Sequence, residues 1–150
     1  MSNVERVERF MAGFPDDAAA ALASEEGRRA WEEVVREVTR PDFDVAMIAP
    51  ILTQEAKGLD GYFALWADWL EPFDSYRLEF ERVIPAGANV VVFVRQFGRL
   101  KGSEAEVSSA SASVHVFEDG LTARIEFHMD REAALRAAGL DPQPYLSSQA

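Results

Sequence analysis

The hydrophobic period of this chain changes once, near residue 75, and that change restricts its fold more than any other feature. Residues 3–73 carry apolar side chains at helical spacing, and residues 75–129 carry them at strand spacing. Helices followed by a run of antiparallel strands predict an α+β domain. In the first half, Val4, Val7, Phe10, Met11 and Phe14 form the buried stripe of a helix that Pro15 ends. Asp16 or Asp17 can cap the next helix. Ser24 with Glu25 and Glu26 opens another, running through Trp31, Val34, Val35 and Val38 and stopping before Pro41. Residues 45–52 read as an irregular strand or loop, because Pro50 interrupts them. The segment 58–73 is the most apolar helix: Tyr62, Trp66, Trp69 and Phe73 share one stripe, and Leu59, Phe63, Trp66 and Leu70 the next. So wide an apolar arc needs cover on more than one side, which places this helix between a sheet and the other helices.

In the second half, Tyr76, Leu78, Phe80 and Arg82 alternate with Arg77, Glu79 and Glu81, as in a half-buried strand. Residues 85–89 turn the chain, and residues 90–97 are apolar on both faces, which predicts an interior strand. Residues 105–117 and 121–129 predict a hairpin across Asp119-Gly120, a pair suited to a two-residue turn with positive φ. Asp130 caps a short helix over 131–138, with Glu132 near its positive end and Gly139 as its stop.

A two-residue turn sets a register. It pairs Glu118 with Leu121, Phe117 with Thr122, His115 with Arg124, Ser113 with Glu126 and Ser111 with His128. One face of the hairpin is then wholly apolar: Ala110, Ala112, Val114 and Val116 with Ala123, Ile125, Phe127 and Met129. The other collects both histidines of the chain with Arg124, Glu126 and two serines. A three-residue loop would split this group. Two readings stay open. The polar face is wet while the apolar face packs on the helices, or the polar face lines a pocket while the apolar face meets a partner subunit. In the second, a carboxylate, a guanidinium and imidazoles in one cleft could orient a ligand or move protons.

Composition narrows the partners. At 150 residues and 48% hydrophobic content, the chain can bury a core as one domain over residues 1–150. Its formal charge of −11 argues against nucleic acid as a partner. No apolar span suggests a membrane, and the absence of cysteine fits a reducing, cytoplasmic setting and removes thiolate chemistry. The only candidate metal ligands, His115, His128 and Glu126, lie on neighbouring strands and need not converge, so no metal and no cofactor are expected. Trp66 and Trp69 read as core before ligand cage, and Asp130 as a helix cap before a base.

The string Gly58-Leu-Asp-Gly-Tyr-Phe-Ala-Leu-Trp-Ala-Asp-Trp-Leu-Glu resembles the helix after the first strand in SnoaL-like proteins of the nuclear transport factor 2-like superfamily. Val90-Val-Val-Phe-Val-Arg-Gln-Phe-Gly-Arg, Phe117-Glu-Asp-Gly and Asp130-Arg-Glu-Ala-Ala-Leu-Arg-Ala-Ala-Gly look like the same family's sheet and closing helix. The resemblance covers residues 44–140, and the helical segment 15–40 is longer than it implies. It implies a cystatin-like, nuclear transport factor 2-like cone, a curved antiparallel sheet wrapped around the N-terminal helices, with a pocket for a small, largely apolar ligand. Arg124, Glu126 and Asp130 match the family's polar alternation. Ser113 stands where a histidine is common, His115 where an aromatic residue is common, and His128 where a tyrosine is common. The isomerase-like relatives carry a carboxylate base before the proline of segment 44–50; here that residue is Ala49, which cannot take a proton.

Two functions follow as expectations. One is a pocket protein of cyclase, isomerase or dehydratase type, with Glu126 or His128 in acid/base roles and Arg124 holding charge. The other is a non-catalytic small-molecule-binding or dimerisation module, which Ala49 favours. The candidate pocket residues are Trp66, Ser113, His115, Arg124, Glu126 and His128. Relatives dimerise through the convex sheet, and Ala112, Val114, Val116, Ile125 and Phe127 are expected to form an apolar patch there that a homodimer covers.

Overall fold

The computed structural model describes residues 1–146. The elements run α1 (Asn3–Ala12), α2 (Ala18–Ala23), α3 (Glu25–Val38), β1 (Thr39–Ile48), β2 (Thr53–Lys57), α4 (Gly58–Leu70), β3 (Phe73–Ala86), β4 (Asn89–Leu100), β5 (Glu106–Glu118), β6 (Leu121–His128), α5 (Arg131–Ala137) and α6 (Gln143–Leu146). The strands form one six-stranded curved sheet in the order β2-β1-β6-β5-β4-β3. Helices α1 to α4 fill its concave side, and α5 lies on the convex side. This is the α+β cone expected. No helix among the described residues is long and apolar enough to cross a membrane.

Short polar side chains start the helices where free backbone N–H groups need acceptors. Ser2 Oγ accepts from Glu5 N at 3.1 Å, while Ser2 N donates back to Glu5 Oε1 at 3.0 Å. Asp17 caps α2, and the same carboxylate accepts from Ser75 Oγ (2.8 Å) and Tyr76 N (3.1 Å). One acid therefore ties the helical layer to β3. Inside the cone, Trp31 meets Phe14, Tyr62, Phe63 and Trp66 edge-on at centroid distances of 5.1, 5.9, 5.0 and 5.6 Å. Its indole N–H donates to Tyr62 Oη at 3.1 Å, so a polar atom at the centre of the core is satisfied.

Three expectations need correction. Residues 45–48 belong to a ten-residue strand, β1, that begins at Thr39; Pro50 lies beyond its end, and Pro41 sits where the register with β6 shifts, between Thr39 and Asp44. β1 pairs antiparallel with β2 but parallel with β6, so the sheet is mixed.

The second correction concerns the hairpin. Its turn is as expected, with Asp119 and Gly120 both at positive φ (52° and 80°) and Glu118 opposite Leu121. After Phe117–Thr122, however, the register shifts, and Val116 pairs with Arg124, His115 with Ile125 and Ser113 with Phe127. Ala123 is the extra residue of a bulge, and one extra residue reverses every face beyond it. Ser113 and His115 therefore share the concave face with Ile125 and Phe127, while Arg124, Glu126 and His128 share the convex face with Ala112, Val114 and Val116. The driving force is visible in β6, where Ile125 and Phe127 are the bulky apolar pair and the helical core accepts them in place of Arg124 and Glu126.

The third follows from the second. Ile125 and Phe127 point inward, and Ala134 and Leu135 of α5 cover Ala112 and Val114. The expected convex patch of Ala112, Val114, Val116, Ile125 and Phe127 thus does not form. Arg131 fastens α5 to the sheet: its Nε donates to Ser111 O and an Nη to Val94 O, both at 3.0 Å, and its guanidinium lies over Phe93 at 4.5 Å and pairs with Glu81.

Candidate functional site

Strand β5 inverts the usual rule: its small polar residues face the core, and its apolar ones face α5. Ser111, Ser113 and His115 are all nearly inaccessible to solvent. Ser113 Oγ and His115 Nε2 lie 3.0 Å apart, and the imidazole meets the Phe10 ring edge-on at 5.3 Å. Burial pushes the His115 pKa down to about 4, so the pair is neutral at physiological pH. Depending on tautomer, the imidazole can accept from the serine or donate to it.

Ser113 borders an interior cavity of about 30 Å³ whose other walls include Phe10, Phe14, Trp66, Phe80 and Phe127. A water needs roughly 10–15 Å³ by this measure. The cavity has room for no more than two or three waters, and the protein's own aromatic rings occupy the rest of the cone. Toward the open end lies a second space, a cleft of about 220 Å³ reaching out to Phe73, Gly98, Val107 and Ser108. A side chain at Gly98 would collide with the Phe73 ring, with Cβ 2.5 Å from the nearest ring carbon, so glycine is what lets Phe73 lie across β4 at the mouth. A hydrogen-bonded chain stands between the two spaces. Trp69 Nε1 donates to Tyr76 Oη at 2.8 Å, Tyr76 Oη donates to Gln96 Oε1, and Gln96 Nε2 donates to Ser109 Oγ at 2.7 Å. Burial raises the Tyr76 pKa, which keeps the phenol a donor.

The charged residues of the hairpin do come together, on the other side. Glu126 accepts from His128 Nε2 at 2.8 Å and from Arg124 Nε at 2.7 Å, and Arg124 also reaches Glu55 at 3.2 Å. His128 above all, with Arg124, holds the Glu126 carboxyl down at about 2. His128 Nδ1 is buried and has no hydrogen-bond partner among the described residues. Of the six candidates, Trp66 and Ser113 face the cavity and His115 stands behind Ser113. His128 borders the cavity with its imidazole turned to Glu126, and Arg124 and Glu126 lie on the convex face. Both histidines are buried, on opposite sides of the sheet.

The SnoaL-like domain pattern matches residues 7–125. This chain belongs to the SnoaL-like domain family. Among solved structures, a protein from Jannaschia sp. CCS1, provisionally described as a SnoaL-like polyketide cyclase, is 26% identical over 93% of each chain, with a TM-score of 0.63. TerC, co-crystallised with polyporic acid, is 20% identical over 91% of this chain and 98% of its own, with a TM-score of 0.65. A nuclear transport factor 2-like protein from Burkholderia thailandensis E264 is 14% identical over 94% and 99%, with a TM-score of 0.67. The last two share the fold with this chain and carry nothing further. No curated protein matches it.

The match to the SnoaL-like family takes in segment 15–40, which supplies α2, α3 and the central Trp31. Ala49, where isomerase-like relatives have their base, sits in the β1–β2 turn and bonds the Leu52 carbonyl at 3.1 Å. Sequence reasoning missed Tyr76, Gln96 and Ser109. A signal existed for Gln96: it is a polar amide inside a strand predicted to be buried on both faces, and such a group must find partners.

Proposed function

We propose that this SnoaL-like protein binds a small, largely apolar molecule at the open end of its cone and does so without catalysis. The observation that carries this reading is the junction of cleft and aromatic interior across the Tyr76–Gln96 contact, with the neutral Ser113–His115 pair beyond it. The acid/base groups expected of an enzyme do not support the catalytic version: Arg124 and Glu126 face away, and neither space is lined by Asp or Glu. His115 is a weak base, because its charged form is buried without a counter-ion.

A second reading, a cyclase-type enzyme, draws on the description of the Jannaschia protein and on the Ser113 hydroxyl, which a neutral imidazole could polarise. Native mass spectrometry of freshly purified protein, followed by a thermal-shift screen of aromatic compounds, tests the binding reading. Retained mass above 16.7 kDa, or a raised Tm, is expected. A bare chain whose Tm no compound moves would defeat it. Turnover of a bound compound that His115→Gln abolishes would favour the enzyme.

A further inference from the structure

Four residues, Trp69, Tyr76, Gln96 and Met129, line both the interior cavity and the cleft. The partition is therefore one side chain thick, and its middle is the Gln96 amide. That amide is engaged at both ends: Oε1 accepts from Tyr76 Oη, and Nε2 donates to Ser109 Oγ at 2.7 Å and approaches Met129 Sδ at 3.5 Å. Each of these contacts joins neutral groups that a ligand hydroxyl or carbonyl could replace one for one. The cleft, at about 220 Å³, has the volume of a two-ring molecule; the interior, at about 30 Å³, does not.

Charge is what both spaces lack. No Asp, Glu, Lys or Arg lines either one. The ionisable residues on their walls are Tyr76, whose phenol is held protonated by burial, and His128, whose imidazole is turned to Glu126 on the convex face. An ion in either space would shed water and meet no counter-charge. The chain's net charge of −11 also opposes an anion at long range.

We infer that cleft and interior form one site for an uncharged aromatic molecule bearing a hydroxyl or carbonyl oxygen, and that Gln96 is the residue that selects that oxygen. This rests on the small-molecule reading above. The ligand's rings stack among Trp69, Phe73 and Tyr76, and its oxygen takes one of the hydrogen bonds now made within the partition.

The test uses three probes of similar size on the full chain: 2-naphthol, 2-naphthoate and phenyltrimethylammonium. Affinity is followed by calorimetry and by the indole N–H signal of Trp69 in ¹⁵N-resolved NMR spectra. Wild-type protein is expected to bind 2-naphthol at least tenfold more tightly than either ion. Gln96→Leu is expected to lose at least tenfold in 2-naphthol affinity. Gln96→Glu guards against a merely structural role: it should reverse the preference, taking phenyltrimethylammonium over 2-naphthol, which a loosened fold would not do. If either ion binds wild type as tightly as 2-naphthol, or if neither Gln96 variant changes the order of affinities, the inference fails while the small-molecule reading stands. If none of the three binds wild type, the small-molecule reading itself falls, and the inference with it.

Discussion

Mild acid should destabilise this protein through a single imidazole. His115 is 2% exposed; its nearest polar neighbour is the uncharged Ser113 hydroxyl, and the edge of Phe10 closes one side. Burial alone lowers its pKa to about 4, whereas in the unfolded chain it titrates near ~6.5. Between those values the unfolded state binds a proton that the folded state refuses, so stability rises with pH across the window. The contribution is complete above about pH 6.5 and is lost as the pH falls toward 4. Integrating the two titrations gives a loss of about 2–3 kcal/mol between pH 7.5 and pH 4.5. Glu126 acts lower: its carboxyl is held down at about 2, so its share is present above the ordinary carboxylate range and is lost only as the pH falls from there toward 2. Urea melts of wild type and His115→Gln at pH 7.5, 6.5, 5.5 and 4.5 isolate the His115 share. The variant should start less stable at pH 7.5 and lose about 2–3 kcal/mol less on going to pH 4.5. Equal losses in the two proteins, or an imidazole NMR titration of His115 centred near pH 6.5, would refute the reasoning.

Three other substitutions separate the two faces of the sheet. Trp66→Ala removes a side chain that meets Phe14, Trp31, Tyr62, Tyr76 and Phe127, and should cost about 3–5 kcal/mol in denaturant melts. A loss well under that range would place Trp66 at the mouth. Val114→Lys puts an ammonium against Ala134 and Leu135 and should unfold the chain or detach α5, seen as lost helical circular dichroism; a folded protein of wild-type Tm would contradict the convex packing. Glu126→Gln removes the carboxylate charge and puts an N–H donor in place of one of the two oxygens that accept from Arg124 and His128, and should cost about 1.5–3 kcal/mol, while leaving 2-naphthol affinity unchanged. Loss of that affinity would bring the convex cluster back into the site.

Much of this architecture is local and therefore legible in the sequence. The helix starts at Asp17, Ser24 and Asp130, the Asp119-Gly120 turn and the change of period near residue 75 all depend on residues within a few positions of one another. The apolar arc of α4 required cover on several sides, and Trp66 and Tyr62 have it. Even the polar stripe of β5 was visible as Ser111, Ser113 and His115.

Which way that stripe faced, and with which partners, was not a local matter. β5 has small residues on one side and apolar ones on the other, and it could have packed either way. The decision fell to β6, where the bulge at Ala123 turned Ile125 and Phe127 into the core and carried Arg124, Glu126 and His128 out. A bulge costs little locally and gains its stabilisation from side chains far off in sequence, such as Trp66 and Tyr62 against Phe127. The same holds for β1, whose parallel pairing with β6 joins segments separated by all the intervening strands. It holds too for Gln96, whose partners come from β3 and β5. The sequence by itself determined where helices and turns begin, because caps and turns act between near neighbours. The tertiary structure alone decided which residues share the cavity, because burial is settled by what the whole fold leaves uncovered.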